Sequence, residues 1–294
     1  MKRFRPLWLL ALTAFALFAL VSCSGDEEPE SSPTPTPTPT ATTTATADAT
    51  TAATTEATVT EEALSGTIVV SAASSLTDAF TEIAAAFQDA NPDTQIDLNF
   101  GSSSELASQI VEGAPAEVFA SANDAQMAVV VDAGLASDPQ TFARNRIVVA
   151  APADNDLVQA FEDLAEPGVR LVLAGEEVPV GDYARQAFAN ADAATPGFSE
   201  AVLANLVSEE ANVRAVLTKV ELGEADAGVV YGTDAAISGD AVRVVDIPED
   251  LAPPASYPIA VVGDEPSDVA QAFVAFVLSE DGQAILASFG FSAP

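Results

Sequence analysis

Ser74 and Ser75 stand where a β-branched run, Thr67-Ile68-Val69-Val70, gives way to apolar residues at helical spacing, Leu76, Phe80, Ile83 and Phe87. A helix start carries unpaired backbone N–H groups and the positive end of the helix dipole, and a serine in the N-cap position adds a hydroxyl. Together these donors make a seat for an anion, although one such junction is equally an ordinary N-cap. The same arrangement returns about thirty residues later. The alternating strand Gln95-Ile96-Asp97-Leu98-Asn99-Phe100 runs into Gly101-Ser102-Ser103-Ser104, and Leu106, Ile110 and Val111 continue as a short amphipathic helix. Gly101 permits close approach of the backbone, and the serines offer hydroxyl and amide donors or serve only as loop filler. Two further helix starts are legible, one opening at Val178-Pro179-Val180-Gly181 and one at Asn212-Val213-Arg214, with Asn212 as N-cap.

Composition removes most alternatives. The chain has no histidine and one cysteine, Cys23, which excludes an internal disulfide and the usual zinc, copper and non-haem iron ligand sets. It also excludes Ser-His-Asp and Cys-His catalysis, and there is no Gly-x-Ser-x-Gly elbow, so an enzyme is not expected. A net charge of −34 argues against nucleic acid or an anionic membrane surface as partner. Beyond Arg5 the basic residues are Arg144, Arg146, Arg170, Arg185, Arg214, Lys219 and Arg243. Segments 66–143 and 244–294 contain none, so a unit built from them could hold an anion only with neutral donors.

The elements that must position these donors alternate. After the second junction come a strand over Val118–Ala120 and a helix through Met127–Val131 ending at Gly134. A buried strand Arg146–Pro152, helix-like Leu157–Leu164 and strand Arg170–Ala174 follow, then a helix with Tyr183, Ala184, Ala187 and Phe188 on one face. Beyond the helix opened by Asn212, strands are expected at Ala227–Tyr231, Val242–Ile247 and Tyr257–Val262, then helices over 267–279 and near 281–289. Alternation of this kind indicates an α/β class with largely parallel sheets, in which ligands sit beyond the carboxyl ends of strands. The four helix starts lie at such ends.

The N-terminus reads differently. Met1-Lys2-Arg3-Phe4-Arg5 and the apolar run to Val21 have the layout of a secretory leader, too short for a comfortable membrane span. Leu20-Val21-Ser22-Cys23 resembles the bacterial lipoprotein signal, which implies cleavage after residue 22, acylation of Cys23 and attachment outside the cytoplasmic membrane. Loss of Lys2, Arg3 and Arg5 with the leader takes the net charge from −34 to −37. Residues 23–65, rich in Thr, Ala, Pro and acid, cannot offset the entropy of ordering and read as a disordered tether.

The folded part resembles the periplasmic molybdate-binding proteins of ABC transporters. The resemblance is carried by Ala72-Ala73-Ser74-Ser75-Leu76, Gly101-Ser102-Ser103-Ser104-Glu105-Leu106-Ala107 and Gly113–Ala122, then by Val178-Pro179-Val180-Gly181, Asn212-Val213-Arg214, Gly228–Ala235 and Tyr257–Val262. It covers essentially all of 66–294. It implies a two-lobed binding protein of type II topology, each lobe a mostly parallel sheet flanked by helices, with the chain crossing a hinge near Asn145 and Tyr257. Lobe 1 would be 66–144 plus 258–294, and lobe 2 would be 145–257. By position, the ligand contacts fall on the Ser75 and Ser103 hydroxyls with neighbouring amides, the Val180 and Val213 amides and the Tyr231 hydroxyl. Val180 departs from the smaller residue common there, with little loss expected because an amide makes the contact. The bound species would be molybdate, and tungstate with it, met through its oxygens with no protein–metal bond and no cofactor. An ABC permease would receive it, and the protein would act as a lipid-anchored monomer.

Molybdate chemistry suits these residues: a fully deprotonated tetrahedral dianion only accepts hydrogen bonds, so its site needs donors and no carboxylate. Tyr231 also reads as a core tyrosine with a satisfied hydroxyl, and Arg214 as a surface cation rather than a site group. Sulfate, or a tungstate-selective variant, would fit the same donors. A surface adhesion domain on the same fold is the remaining alternative.

Overall fold

The computed structural model describes residues 63–294. The expected leader, Cys23 and nearly all of the expected tether lie outside the described residues. Taken in chain order, the elements are β1 (Gly66–Ala73), α1 (Thr77–Ala90), β2 (Thr94–Gly101), α2 (Ser103–Val111), β3 (Val118–Ala120), α3 (Asp124–Asp132), β4 (Gln140–Asn145) and β5 (Ile147–Pro152). Then follow β6 (Leu171–Ala174), α4 (Pro179–Ala191), α5 (Phe198–Ala204), β7 (Leu206–Glu210), α6 (Val213–Glu221), β8 (Ala227–Tyr231) and α7 (Gly232–Ile237). The chain ends with β9 (Val242–Asp246), β10 (Ala255–Val261), α8 (Asp268–Leu278) and α9 (Glu280–Ser288).

Among the described residues ten strands form two five-stranded sheets, ordered β2-β1-β3-β10-β4 and β7-β6-β8-β5-β9. Both are mixed, with four strands pointing one way and a single strand, β10 or β5, reversed. In the first, β1 pairs parallel with β2 and β3, while β10 runs antiparallel to β3 and β4. In the second, β6 is parallel to β7 and β8, while β5 is antiparallel to β8 and β9. The reason is the route of the chain. Only Arg146 separates β4 from β5, so an almost continuous strand leaves one sheet and enters the other. The chain returns through β10, and of these strands β5 and β10 insert against the direction set by the others in their sheets.

Register places the donors. Ala73 lies opposite Gly101 and Ala72 opposite Ala120, so β1, β2 and β3 finish level and release Ser74, Ser102 and Ser121 side by side. Ala174 lies opposite Glu210, which brings the starts of α4 and α6 to the corresponding edge of the second sheet. Gly228 sets the depth of α6, because a Cβ there would sit 2.7 Å from Val216 Cγ1 and 3.0 Å from Val172 Cγ1.

Packing follows the expected stripes. Leu76, Phe80, Ile83 and Phe87 are all buried, and Phe80 packs on Phe142 and Phe273 at ring separations of 5.7 and 6.2 Å. A second aromatic group, Phe161, Phe188 and Phe198, fills the other half. Tyr231 and Tyr257, 5.7 Å apart and edge to face, join the two where the crossing strands meet. The helix expected over Leu157–Leu164 is only a short 3₁₀ turn, Phe161–Ala165. Asp163 Oδ2 accepts from the Gln159 and Ala160 amides at 2.8 and 2.9 Å, and this side-chain pairing replaces the start of an α-helix. Among the described residues no single helix is long and apolar enough to cross a membrane.

Candidate functional site

Four chain turns converge on one small cavity of about 10 Å³, the scale of a compact occupant. Ser75, Ser103, Val180, Val213 and Tyr231 all line it. The structure thus brings together every residue singled out as a ligand contact, from both sheets. Ala73, Gly101 and Ala122 also line it; Ala122 was not singled out from the sequence, because a backbone wall leaves no signal in residue type.

The first turn differs from expectation. Residues Ser74–Leu76 form a 3₁₀ turn capped by Ala73, and neither serine caps α1, which starts at Thr77. Thr77 Oγ1 donates to the Ser74 carbonyl at 2.7 Å instead. Freed from capping, the Ser75 hydroxyl lies 2.9 Å from the Tyr257 hydroxyl. Asn145 Nδ2 is 3.5 Å from the same tyrosine oxygen and donates to Thr233 Oγ1 at 2.9 Å. Either hydroxyl can donate across the Ser75–Tyr257 contact, and when Tyr257 does so the Ser75 proton is left for an occupant.

At the second turn Ser102 is the N-cap, its Oγ accepting from the Glu105 amide at 3.2 Å. Ser103 Oγ accepts from the Ala122 amide at 2.9 Å, which leaves its proton to donate. At the third turn Pro179 occupies the first helical position, where its missing N–H costs nothing, and the Val180 and Gly181 amides follow. At the fourth, Asn212 caps α6 through Oδ1, accepting from Ala215 N at 3.1 Å, as its residue type predicts. The Val213 amide is the first donor of that helix.

Tyr231, at the end of β8, is 1 % exposed, and its hydroxyl has no hydrogen-bond partner among the described residues. No described neighbour meets hydrogen-bond geometry with it, although the Tyr257 hydroxyl lies near enough to help raise its pKa. Burial pushes both the Tyr231 and Tyr257 hydroxyls well above their ordinary pKa, so both remain protonated donors at neutral pH. An unpaired buried hydroxyl is costly to the empty protein and available to a ligand. Tyr231→Phe is therefore expected to stabilise the unliganded protein by about 1 kcal/mol while weakening anion binding by about 1.5–3 kcal/mol. Thermal melting with and without anion reads both effects, and equal melting shifts in the two conditions would count against a donor role.

No Asp, Glu, Lys or Arg lines the cavity. Arg214, the residue after Val213, is not the free surface cation expected. Its side chain is 26 % exposed and held between Asp78 and Asp234. The cavity is thus walled by neutral donors, and behind the start of α6 lies one cluster in which a single guanidinium serves two carboxylates. Among the described residues no group of three His, Cys, Asp or Glu side chains could hold a metal ion. The chemistry available is capture of a small, fully deprotonated anion.

Comparison with known proteins agrees with this geometry. A family model described as bacterial extracellular solute-binding protein matches residues 68–292. The molybdate-binding protein ModA of Mycobacterium tuberculosis is 41 % identical over 232 residues, covering 78 % of this chain and 85 % of that protein. ModA of Escherichia coli is 34 % identical over 236 residues, covering 77 % and 89 %. The periplasmic molybdate-binding protein of Azotobacter vinelandii superposes with a TM-score of 0.67 at 21 % identity, covering 77 % of this chain and 99 % of that one, a likeness of fold.

Proposed function

The chain belongs to the bacterial extracellular solute-binding protein family, and from that premise we propose that it captures molybdate, and tungstate with it, for an ABC permease. It is a binding protein rather than an enzyme. The single observation that carries the ligand reading is the buried, unpartnered Tyr231 hydroxyl in a cavity otherwise walled by helix-start amides and serine hydroxyls. Ser75, Ser103, Val180, Val213 and Tyr231 are the proposed contacts. All are donors toward the ligand, which suits an oxyanion carrying no proton. The proposed lobes are 66–144 with 258–294 and 145–257, a division supported by the two separate sheets except that Asn145 and residues 255–257 pair within the first sheet, and they close on the anion by a hinge at the crossing strands. Protein with the anion enclosed is the form presented to the permease.

The proposed location is the outer side of the cytoplasmic membrane, with Cys23 acylated and the Thr/Pro-rich segment as tether. This rests on the Leu20-Val21-Ser22-Cys23 signal. A monomer is the proposed functional state, since each chain supplies a complete set of donors.

Calorimetric titration with molybdate, tungstate, sulfate and phosphate tests the reading. Tight one-to-one binding of the first two, with sulfate and phosphate silent, is the expected result. Sulfate binding of equal strength would move the function to sulfate uptake on the same donors. Silence from all four would end the oxyanion reading.

A further inference from the structure

We propose that Asp78 is a latch that holds the two lobes closed, with Arg214 as its preset partner, and that it sets how long the anion stays bound. Asp78 lies in the first turn of α1, two residues beyond the Ser74–Leu76 turn, and belongs to the lobe built on the first sheet. Arg214 belongs to the other lobe, in the first turn of α6 beside the Val213 amide. Its Nη2 donates to Asp78 Oδ2 at 2.6 Å. Its Nε lies 2.6 Å from Asp234 Oδ1, off the line of a hydrogen bond, so that contact is ionic.

The two carboxylates differ in a way that assigns their roles. Asp234 is completely buried and shares a lobe with Arg214, while Asp78 is 40 % exposed and reaches it from across the cleft. Parting Arg214 from Asp234 would strand a buried charge, so that pair persists whether the lobes are open or closed. The guanidinium is thereby held in place before closure, at little further entropic cost when Asp78 arrives. Parting Arg214 from Asp78 exposes both groups to water and costs little. The contact is thus reversible, and it links the two helices that follow the Ser75 and Val213 donors. The contacts of Ser75 with Tyr257 and of Asn145 with Thr233 lie at the crossing strands, and away from these Gln126 Nε2 donates to the Glu177 carbonyl at 3.2 Å, an exposed and uncharged contact.

The latch rests on the two-lobed capture reading, and its test separates the two. In Asp78→Asn, molybdate should dissociate about three- to tenfold faster with little change in association rate. Tyrosine fluorescence can follow this, Tyr183, Tyr231 and Tyr257 being the tyrosines of the sequence. Dissociation from the wild type should quicken with ionic strength, and that dependence should weaken in the variant. Asp78→Glu, which keeps the charge, should restore slow dissociation. Without any ligand, amide exchange over 74–90 and 212–222 should be faster in Asp78→Asn than in the wild type and unchanged elsewhere. Exchange and dissociation both matching the wild type would overturn the latch. A wild type that binds none of the anions, with faster exchange in Asp78→Asn, would keep the latch and end the molybdate reading.

Discussion

Arg214→Met is expected to cost about 3–5 kcal/mol of stability near pH 7.5, because it leaves the Asp234 carboxylate buried without its counter-ion. The loss should shrink markedly at about pH 5. Burial pushes the Asp234 carboxyl from 3.8 up to about 6, with Arg214 pulling it back down and Asp78 adding to the rise. The Arg214 charge itself is disfavoured by burial, but Asp234 and Asp78 together raise its pKa and keep it ionised. A carboxyl raised on folding binds its proton more tightly in the folded protein than in the unfolded chain. Asp234 therefore favours folding at low pH and costs stability as pH rises from about 4 through about 6. Without Arg214 the carboxyl rises further and the neutral-pH cost grows, whereas a protonated Asp234 needs no counter-ion. Urea denaturation at the two pH values measures this, and an equal loss at both would show that packing of the arginine stem, not charge, is what was removed.

Gly181→Ala is expected to lower anion affinity by about two orders of magnitude and stability by about 1–3 kcal/mol. A Cβ at this position would sit 2.1 Å from the Gly175 carbonyl oxygen and 2.5 Å from that of Ala174. Both obstacles are backbone, at the end of β6 and the turn behind it, and neither can rotate away. The start of α4 must move, carrying the Val180 and Gly181 amides together. A hydrogen bond to a charged partner is worth about 1.5–3 kcal/mol, so loss of the Val180 bond, at the upper end of that range, accounts for the fall. Titration of a variant that still melts cooperatively decides it. Unchanged affinity would mean that the third turn does not touch the anion.

How much of this was legible in the sequence depends on what each element is made of. The stripe Leu76, Phe80, Ile83, Phe87 announced α1, and the β-branched runs announced β1, β5, β6 and β8, because burial on one face or two leaves a period in residue type. Two edge strands left no such trace. β4, Gln140–Asn145, and β7, Leu206–Glu210, end their sheets and are polar enough to read as loop, as an edge facing water tends to be. The short helix α5 between two turns was missed as well.

The sequence by itself determined the class of chemistry. With no histidine, one cysteine and a first segment free of cations, that segment could hold an anion only by amides and hydroxyls, and the helix starts that offer them were visible as serines, Pro179 and Asn212 beside apolar runs. The tertiary structure alone decided what each donor does. Ser75 is bound to Tyr257 rather than capping a helix, Tyr231 is left without a partner, and Arg214 is fixed between two carboxylates. These facts join residues 182, 136 and 20 positions apart in the chain. Periodicity reports which face of an element is buried, and it carries no information about which distant side chain meets it there.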